Sequence, residues 1–389
     1  MTTVLSNNSL LDTVVQHITT PIEDHYGLMS GEIGRLLAML YVPDNSNHED
    51  QILSSIEKII SGVQTNFGYQ GYNLGSGIGG VLALFHCIQN DELIEAFDVS
   101  NIVEQLDEIV LQCVISDINL GKLDYIAQAG GILNYYAIQA ESQGGDKYVD
   151  YINTTIPLIL QQLVSDVHGT RYKDNLLGNE EYNLRLSHGL SGLLHVLIKC
   201  GPFFREKDLL RGEIDRGLKY IASFSTPNKK PGRRSIYPFS ININTGEPSY
   251  GNRLAWCYGD LNQLMLFELY KNTYGVNIYN SLITDLRQNV AKRDDFQKDL
   301  IDHSQFCHGS AGIAAVFRYL FKLTEDSFYK ELYTKWINLT YDQISIDIET
   351  ENYKDKEGLF LEGLVGSTLT LIQHNFPDRQ YTINRFFLL

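Results

Sequence analysis

The chain has 389 residues, with 31 lysines and arginines against 47 aspartates and glutamates, and a formal net charge of −16. This length suits one large domain built from repeats, or two ordinary domains. The acidic balance argues against a nucleic-acid partner, because no basic excess is present to neutralise phosphates, and it suits a basic peptide partner or simple solubility.

Hydropathy and cysteine usage predict a cytoplasmic protein without membrane spans. Residues 1–8 are polar and lack the regions of a secretory signal, and no apolar stretch reaches the length of a transmembrane helix. The five cysteines are an odd number scattered along the chain, so free thiols are expected rather than a disulfide framework. Three of them lie in apolar helical patterns and are expected to be buried: Cys87, Cys113 and Cys200.

A Gly-x-x-Gly motif followed by an apolar run recurs along the chain. We call the first residue of each copy its lead position. Five copies keep both glycines, and two degenerate copies, at 128–131 and 259–262, lie in the gaps between them. The seven lead positions are 31, 77, 128, 189, 259, 309 and 363. This regular recurrence indicates a repeat protein.

Each copy opens a predicted helix, and a second, amphipathic helix is predicted between copies. Apolar residues in the second type recur three and four positions apart, as in 52–60 and 102–110. Seven helix pairs can continue as an open solenoid or close into a ring, and the glycine-rich, weakly polar first helices favour closure because a solenoid would expose them. We therefore predict an all-α fold, an α/α toroid of seven helix pairs that forms a single domain over residues 1–389.

The longest spacing between lead positions contains a segment of different character. Residues 224–252 begin with a turn-rich stretch and continue with alternating apolar residues, which predicts a small β-containing insertion within the toroid. Lys229, Lys230, Arg233 and Arg234 form a basic cluster there. A solvated loop is the favoured interpretation of this cluster, and contact with an acidic stretch of a peptide substrate is the alternative.

Residues just before two lead positions predict a metal site. Cys257 and Cys307 each stand two residues before a lead position, and His308 stands one residue before. Equivalent positions lie at the same end of a closed ring, so these side chains from adjacent repeats are expected to converge. Two thiolates and one imidazole suit a single zinc ion, and three protein ligands leave the open position of a catalytic site. The alternative is a pair of buried thiols beside a capping histidine.

His188 stands one residue before the fourth lead position and has no cysteine beside it. It therefore need not be a metal ligand. An imidazole next to a metal site is suited to act as a general acid or base near neutral pH. A helix-capping or packing role is the competing interpretation.

These motifs together resemble the lanthionine synthetase C family, the cyclases of lanthipeptide biosynthesis. The resemblance spans essentially the whole chain, and it is carried by Trp-Cys-Tyr-Gly at 256–259, Cys-His-Gly at 307–309, Ser-His-Gly-x-x-Gly at 187–192 and the seven-fold glycine pattern. It implies an α/α toroid with zinc at its mouth and a β-containing extension.

Residue by residue, the resemblance implies that the two cysteines and His308 are zinc ligands. His188 and Asp124 match the acid–base residues of the family, and Arg253 and Tyr258 match residues that the family keeps near the site. Asp124 lies four residues before the third lead position rather than directly beside it. An ordinary helix N-cap is therefore a competing interpretation of Asp124.

The implied reaction is the addition of a substrate cysteine thiolate to dehydroalanine or dehydrobutyrine in the same lanthipeptide precursor. It closes a lanthionine or methyllanthionine thioether ring. Three alternatives stay open: a related enzyme that couples glutathione to dehydrated residues, a non-catalytic scaffold whose zinc only stabilises the ring, and a toroid enzyme of the protein prenyltransferase kind, whose metal set includes a carboxylate.

The resemblance also implies partners. The substrate would be a dehydrated precursor peptide, and a dehydratase and an exporter would act on the same peptide in a biosynthetic complex. Such a complex would hold a cytoplasmic enzyme at the periphery of the membrane without a membrane span of its own.

Overall fold

The computed structural model of the protein describes residues 7–23, 25–43, 45–65, 71–142, 145–173, 180–227 and 231–389. These residues form fourteen α-helices: α1 (Asn7–His17), α2 (Glu32–Tyr41), α3 (Glu49–Thr65), α4 (Ile78–Asn90), α5 (Ser100–Asn119), α6 (Ala129–Ala140), α7 (Asp146–Gln162), α8 (Leu190–Cys200), α9 (Lys207–Ala222), α10 (Asp260–Tyr274), α11 (Asn280–Val290), α12 (Ser310–Thr324), α13 (Ser327–Glu349) and α14 (Val365–Asn375). None of these described helices is both long and apolar enough to cross a bilayer.

The even-numbered helices form a closed inner ring. Each of them packs on the next, from α2 through α14, and α14 packs back on α2. Their side chains are almost entirely buried, whereas the outer helices bury one face only. A helix that is apolar on all sides is stable only when both flanks and both faces are covered, which ring closure provides. The predicted all-α toroid is confirmed.

The lead positions mark where the inner helices begin. Six of the seven inner helices begin one residue after their lead position, and α14 begins two residues after position 363. We call this end of the ring, where the inner helices start, the mouth. The residues that precede each lead position therefore all lie at the mouth, although they are far apart in the chain.

The outer helix of the seventh pair comes from the other end of the chain. After α14 the chain forms a 3-10 helix, Thr382–Phe387, rather than a further outer helix. Instead α1 packs against α13 and α14. The pair that closes the ring thus combines a helix near the beginning of the chain with one near its end.

A belt of backbone hydrogen bonds surrounds the mouth. In five places the N–H group two residues before one lead position donates to the equivalent carbonyl of the next repeat, over 2.9–3.2 Å. The five donors and acceptors are Met29 to Gly75, Gly75 to Ile126, Ser187 to Cys257, Cys307 to Leu361, and Leu361 to Met29. We call this set the mouth belt. It satisfies loop backbone groups that have no helical partner and sets the rotation of each repeat relative to the next.

The C-terminal 3-10 helix fills the centre of the ring. The Tyr125 hydroxyl donates to the carbonyl of Phe386 over 2.7 Å, and the Trp256 indole N–H donates to the carbonyl of Phe387 over 2.9 Å. The Phe387 ring also stacks on Phe360, with centroids 4.3 Å apart. Each aromatic polar group thus has a buried partner, and the helix ring surrounds packed side chains.

Among the described residues, five short strands are attached to the outside of the ring: β1 (Val164–Asp166), β2 (Gly169–Arg171), β3 (Glu181–Asn183), β4 (Ser240–Asn242) and β5 (Pro248–Ser249). The first two form an antiparallel hairpin, and the others form an antiparallel sheet in the order β3-β4-β5. Both β4 and β5 lie within 224–252, whereas β3 lies outside that segment.

The basic cluster of this segment is partly described. Arg234 forms an ion pair with Asp299, and the Arg233 guanidinium lies 4.1 Å from the centroid of the Tyr250 ring. Both contacts are internal to the protein. Lys229 and Lys230 lie outside the described residues.

We expect Gly312→Ala to destabilise the fold, because Gly312, in the first turn of α12, packs closely against the loops that precede α12 and α10. An added Cβ would collide with the Phe306 carbonyl and come within 3.1 Å of the Trp256 Cβ. Overpacking of this kind costs about 1–3 kcal/mol. The measurement is the midpoint of urea unfolding.

Gly212→Ala on α9 is the matched control for that substitution. An added Cβ there meets only the end of the Arg216 side chain at 3.9 Å. Removing glycine from a helix stabilises it by roughly 0.5–1 kcal/mol, so this midpoint should rise slightly. Equal midpoints for the two variants would contradict the close approach at Gly312.

Candidate functional site at the mouth of the ring

Three potential metal ligands converge at the mouth. Cys257 precedes α10, and Cys307 and His308 precede α12, so all three belong to the loops that open adjacent inner helices. The two sulfur atoms and one ring nitrogen all lie within 4.8 Å of one another. Within the described residues this is the one group of three or more histidines, cysteines and carboxylates close enough to hold a metal ion.

The turn after Cys257 requires a glycine. Gly259 has φ +103°, a conformation that side chains other than glycine rarely adopt, and an added Cβ would lie 2.8 Å from the Arg253 carbonyl. This turn reverses the chain immediately before α10. It thereby directs Cys257 towards the next repeat, where Cys307 lies.

The group fits zinc by geometry and by chemistry. In a tetrahedral site with metal–ligand bonds of about 2.0–2.3 Å, neighbouring ligand atoms lie less than about 4 Å apart. The observed separation of up to 4.8 Å therefore needs only a small contraction. Two sulfurs and one imidazole nitrogen are also a donor set that zinc favours over magnesium or calcium. The residues present are thus able to hold a zinc ion and leave one coordination position open.

The two cysteine side chains shift each other's pKa in opposite directions. The neighbouring Cys257 thiol, together with the nearby His308, lowers the pKa of Cys307 to about 6. Burial and the neighbouring Cys307 raise the pKa of Cys257. The pair thus favours a thiolate on Cys307 and a thiol on Cys257.

Asp124 and His188 form a second pair beside this group. Oδ2 of Asp124 lies 2.7 Å from Nδ1 of His188. The carboxylate is buried, and its other oxygen accepts the Ala127 backbone N–H over 2.7 Å. Asp124 is therefore not the helix N-cap of the competing interpretation, because Gln128 is the N-cap of α6. Its carboxylate bonds a loop amide and contacts the imidazole directly. His188 is not a member of the three-ligand group.

Backbone hydrogen bonds hold His188 next to Cys257. The N–H groups of Leu186 and Ser187 both donate to the Cys257 carbonyl, over 3.1 and 3.2 Å. The imidazole follows directly in the chain. The imidazole and the sulfur are therefore carried by two loops that are bonded to each other.

Arg253 and Tyr258 complete the set of predicted residues at the mouth. Arg253 Nη1 lies 2.5 Å from Oδ2 of Asp302, and the same carboxylate oxygen lies 3.8 Å from Nδ1 of His308. The Tyr258 ring meets the His308 ring edge-on, with centroids 5.8 Å apart. Burial raises the pKa of Tyr258, and the charge of Arg253 opposes that shift. The structure thus brings all seven residues singled out in the sequence to one end of the ring.

Two residues near the site were missed by the sequence analysis. Asp302 contacts both Arg253 and His308, yet it stands seven residues before its lead position, outside the two positions that were aligned. Arg185 lies over the Tyr258 ring. It stands four residues before its lead position, which is the position that Asp124 occupies in the preceding repeat. Extending the repeat alignment by two more positions would have found Arg185.

Comparisons with known proteins agree with this fold. The sequence model of a family described as lanthionine synthetase C-like protein matches residues 22–388. A solved structure of nisin cyclase is similar, with a TM-score of 0.74 and 17% sequence identity over 98% of this chain and 96% of that chain. At that identity the likeness shows a shared fold. No curated protein sequence matches this one.

A closed α/α toroid with two cysteines and a histidine gathered at its mouth defines a class of helical-ring proteins equipped to hold a metal ion. Within that class, the match over nearly the whole chain places the protein plainly: it belongs to the lanthionine synthetase C-like family. The resemblance stated from the sequence motifs is confirmed.

We expect the purified protein to bind one zinc ion per chain and Cys307→Ala to abolish this binding. Loss of a direct ligand should weaken zinc binding by more than the roughly 10- to 100-fold typical of residues that only contact a ligand. Elemental analysis after dialysis against a weak chelator measures the zinc content. Cys113→Ala is the control, because Cys113 is a half-buried thiol on α5 outside the group. Equal zinc content in both variants would exclude the site.

Proposed function

We propose that the protein is a zinc-dependent cyclase that forms lanthionine and methyllanthionine rings in a lanthipeptide precursor. The observation that carries this proposal is the convergence of Cys257, Cys307 and His308 beside the Asp124–His188 pair, in a chain of the lanthionine synthetase C-like family. The nisin cyclase likeness supports the same activity class through its fold.

The reaction has a simple balance of bonds. A sulfur–carbon bond forms between a substrate cysteine and the β-carbon of a dehydroalanine or dehydrobutyrine, and the carbon–carbon π bond breaks. The electron pair moves to the carbonyl oxygen as an enolate, and a proton then adds at the α-carbon. When bound by two thiolates and one imidazole, a zinc ion would supply deprotonation of the attacking thiol, which is otherwise mostly protonated because its pKa is about 8.5.

His188 is placed to deliver the α-carbon proton. Oδ2 of Asp124 lies 2.7 Å from Nδ1 of the imidazole, so a proton exchanged with the substrate would pass through the other ring nitrogen, Nε2. The buried carboxylate also holds the imidazole ring in one orientation. A positioned acid of this kind contributes roughly 10²–10⁴-fold to a rate.

Arg253 and Tyr258 are placed to stabilise the enolate oxygen. Both carry N–H or O–H donors on the loop that bears Cys257, and Asp302 holds the guanidinium in position. Donors that are fixed before the reaction stabilise a developing oxyanion without reorganisation at the moment of bond formation.

The alternatives differ in what they require of the site. A scaffold with a structural zinc requires a fourth protein ligand, and among the described residues the group holds three, with His188 bonded to Asp124 instead. A prenyltransferase-like site requires a carboxylate ligand, and the group contains none. The cyclase proposal therefore accounts best for the donors present. We extend it to a dehydrated precursor peptide as substrate, and to a dehydratase and an exporter as partners acting on that peptide.

We expect His188→Ala to keep its zinc and to lose cyclisation rate by about 10²–10⁴-fold, because the acid is removed while the ligands remain. Rates come from the loss of alkylatable thiol in a dehydrated precursor peptide, and zinc from elemental analysis. His168→Ala is the control, since that histidine is exposed near the turn between β1 and β2. A zinc-depleted but fully active His188→Ala protein would contradict the assignment.

A competition experiment separates ring formation from glutathione coupling. We expect a dehydrated peptide with its own cysteine to lose its free thiol without a change of mass, even with glutathione in excess, because the attacking thiol and the acceptor belong to one molecule. A peptide whose cysteine is replaced by alanine should stay unmodified. A glutathione adduct formed only when the protein is present would instead support the coupling enzyme.

A further inference from the structure

Arg185 is anchored at the mouth by its backbone on both sides. It stands two residues after the end of β3, and its N–H donates to the Asn183 side chain over 2.9 Å. The flanking N–H groups of Leu184 and Leu186 donate to the carbonyls of Phe239 and Cys257, over 2.9 and 3.1 Å. The Cα position of Arg185 is therefore set by the sheet on one side and by a ligand-bearing loop on the other.

Two aromatic rings hold the Arg185 guanidinium. Its Cζ lies 4.8 Å from the Phe239 ring centroid and 5.1 Å from the Tyr258 ring centroid. Both distances are within the range of cation–π contact. The hydrogen-bond donors of Arg185 thus lie next to Tyr258, the residue that follows Cys257.

The donors of Arg185 have no acceptor within the part of the chain that the structure describes. Nε is enclosed without a hydrogen-bond partner, and none of the described carboxylates forms an ion pair with the guanidinium. Arg253 differs, because Asp302 neutralises it over 2.5 Å. An unpartnered, enclosed N–H group costs free energy in the folded protein. The protein has a net charge of −16, and yet the Arg185 guanidinium at its mouth is not neutralised by any described carboxylate. Its donors are therefore available to an oxygen atom of a bound molecule.

We propose that Arg185 is a substrate-binding residue whose guanidinium donates to a backbone carbonyl oxygen of the dehydrated peptide, next to the reacting residue. The contacts with the Phe239 and Tyr258 rings restrict the Arg185 side chain before the peptide binds. Binding therefore costs little further side-chain freedom in the protein. This assignment rests on the proposed cyclase function. It predicts a loss of affinity for the peptide, rather than of turnover, when the guanidinium is removed.

The test is a binding measurement in which no ring can form. The probe is a short fluorescein-labelled peptide with one dehydroalanine and with alanine where the ring-forming cysteine would stand, and its anisotropy is followed with zinc-loaded and with metal-free protein. Arg185→Gln should raise the Kd about tenfold or more in both forms, because a charge-assisted hydrogen bond is lost. Arg185→Lys, which keeps the charge without the planar fork, should fall between this variant and the unsubstituted protein.

Arg205→Gln is the matched control, since Arg205 is an exposed arginine paired with Asp150 on the outside of the protein. Its Kd should not change. A Kd for Arg185→Gln within about twofold of the control would overturn the proposal, because the loss of a hydrogen bond to a charged group should change the Kd by more than that. So would an unchanged Kd combined with a lower unfolding midpoint and a lower kcat, because that result would assign Arg185 to packing around Tyr258.

The two proposals fail separately. Unsubstituted protein that binds the probe through Arg185 but forms no thioether in the cysteine-containing peptide would overturn the cyclase function and leave the peptide contact. Protein that forms thioethers with the same KM whether position 185 is Arg or Gln would overturn the role of Arg185 and leave the cyclase function. Absence of any binding by the unsubstituted protein would overturn both.

Discussion

The mouth belt is the constraint on which the site depends. Each of its bonds joins the same position of two neighbouring repeats, and the bond from Leu361 to Met29 closes the ring between residues more than three hundred positions apart. Short loops that are bonded to one another in this way cannot shift independently. The side chains that they carry are therefore held at one depth and one end of the toroid.

The belt is interrupted at two places, and both coincide with the site. No backbone bond of this type joins Ile126 to Ser187, or Cys257 to Cys307, among the described residues. In the first gap the Asp124 carboxylate meets the His188 imidazole over 2.7 Å, and in the second the two cysteine sulfurs face each other. The side chains of the candidate site thus lie where these two bonds of the mouth belt are absent.

The C-terminal 3-10 helix in the centre of the ring also contacts a loop at the mouth. Trp256, the residue before Cys257, donates its indole N–H to the Phe387 carbonyl of that helix. The packed aromatic side chains fill the centre of the ring. At the mouth, Arg253 is neutralised by Asp302, whereas Arg185 has no such ion pair among the described residues.

The sequence by itself determined the toroid, because the glycine motif that opens a helix recurs seven times, and it identified the candidate metal group, because Cys257 and Cys307 share one repeat position. Tertiary structure decided which residues outside these aligned positions meet. Asp302 reaches Arg253 and His308 although it stands seven residues before its lead position, and α1 completes the seventh pair from the far end of the chain. Such contacts depend on distances between loops, and those distances are set only once the ring has closed.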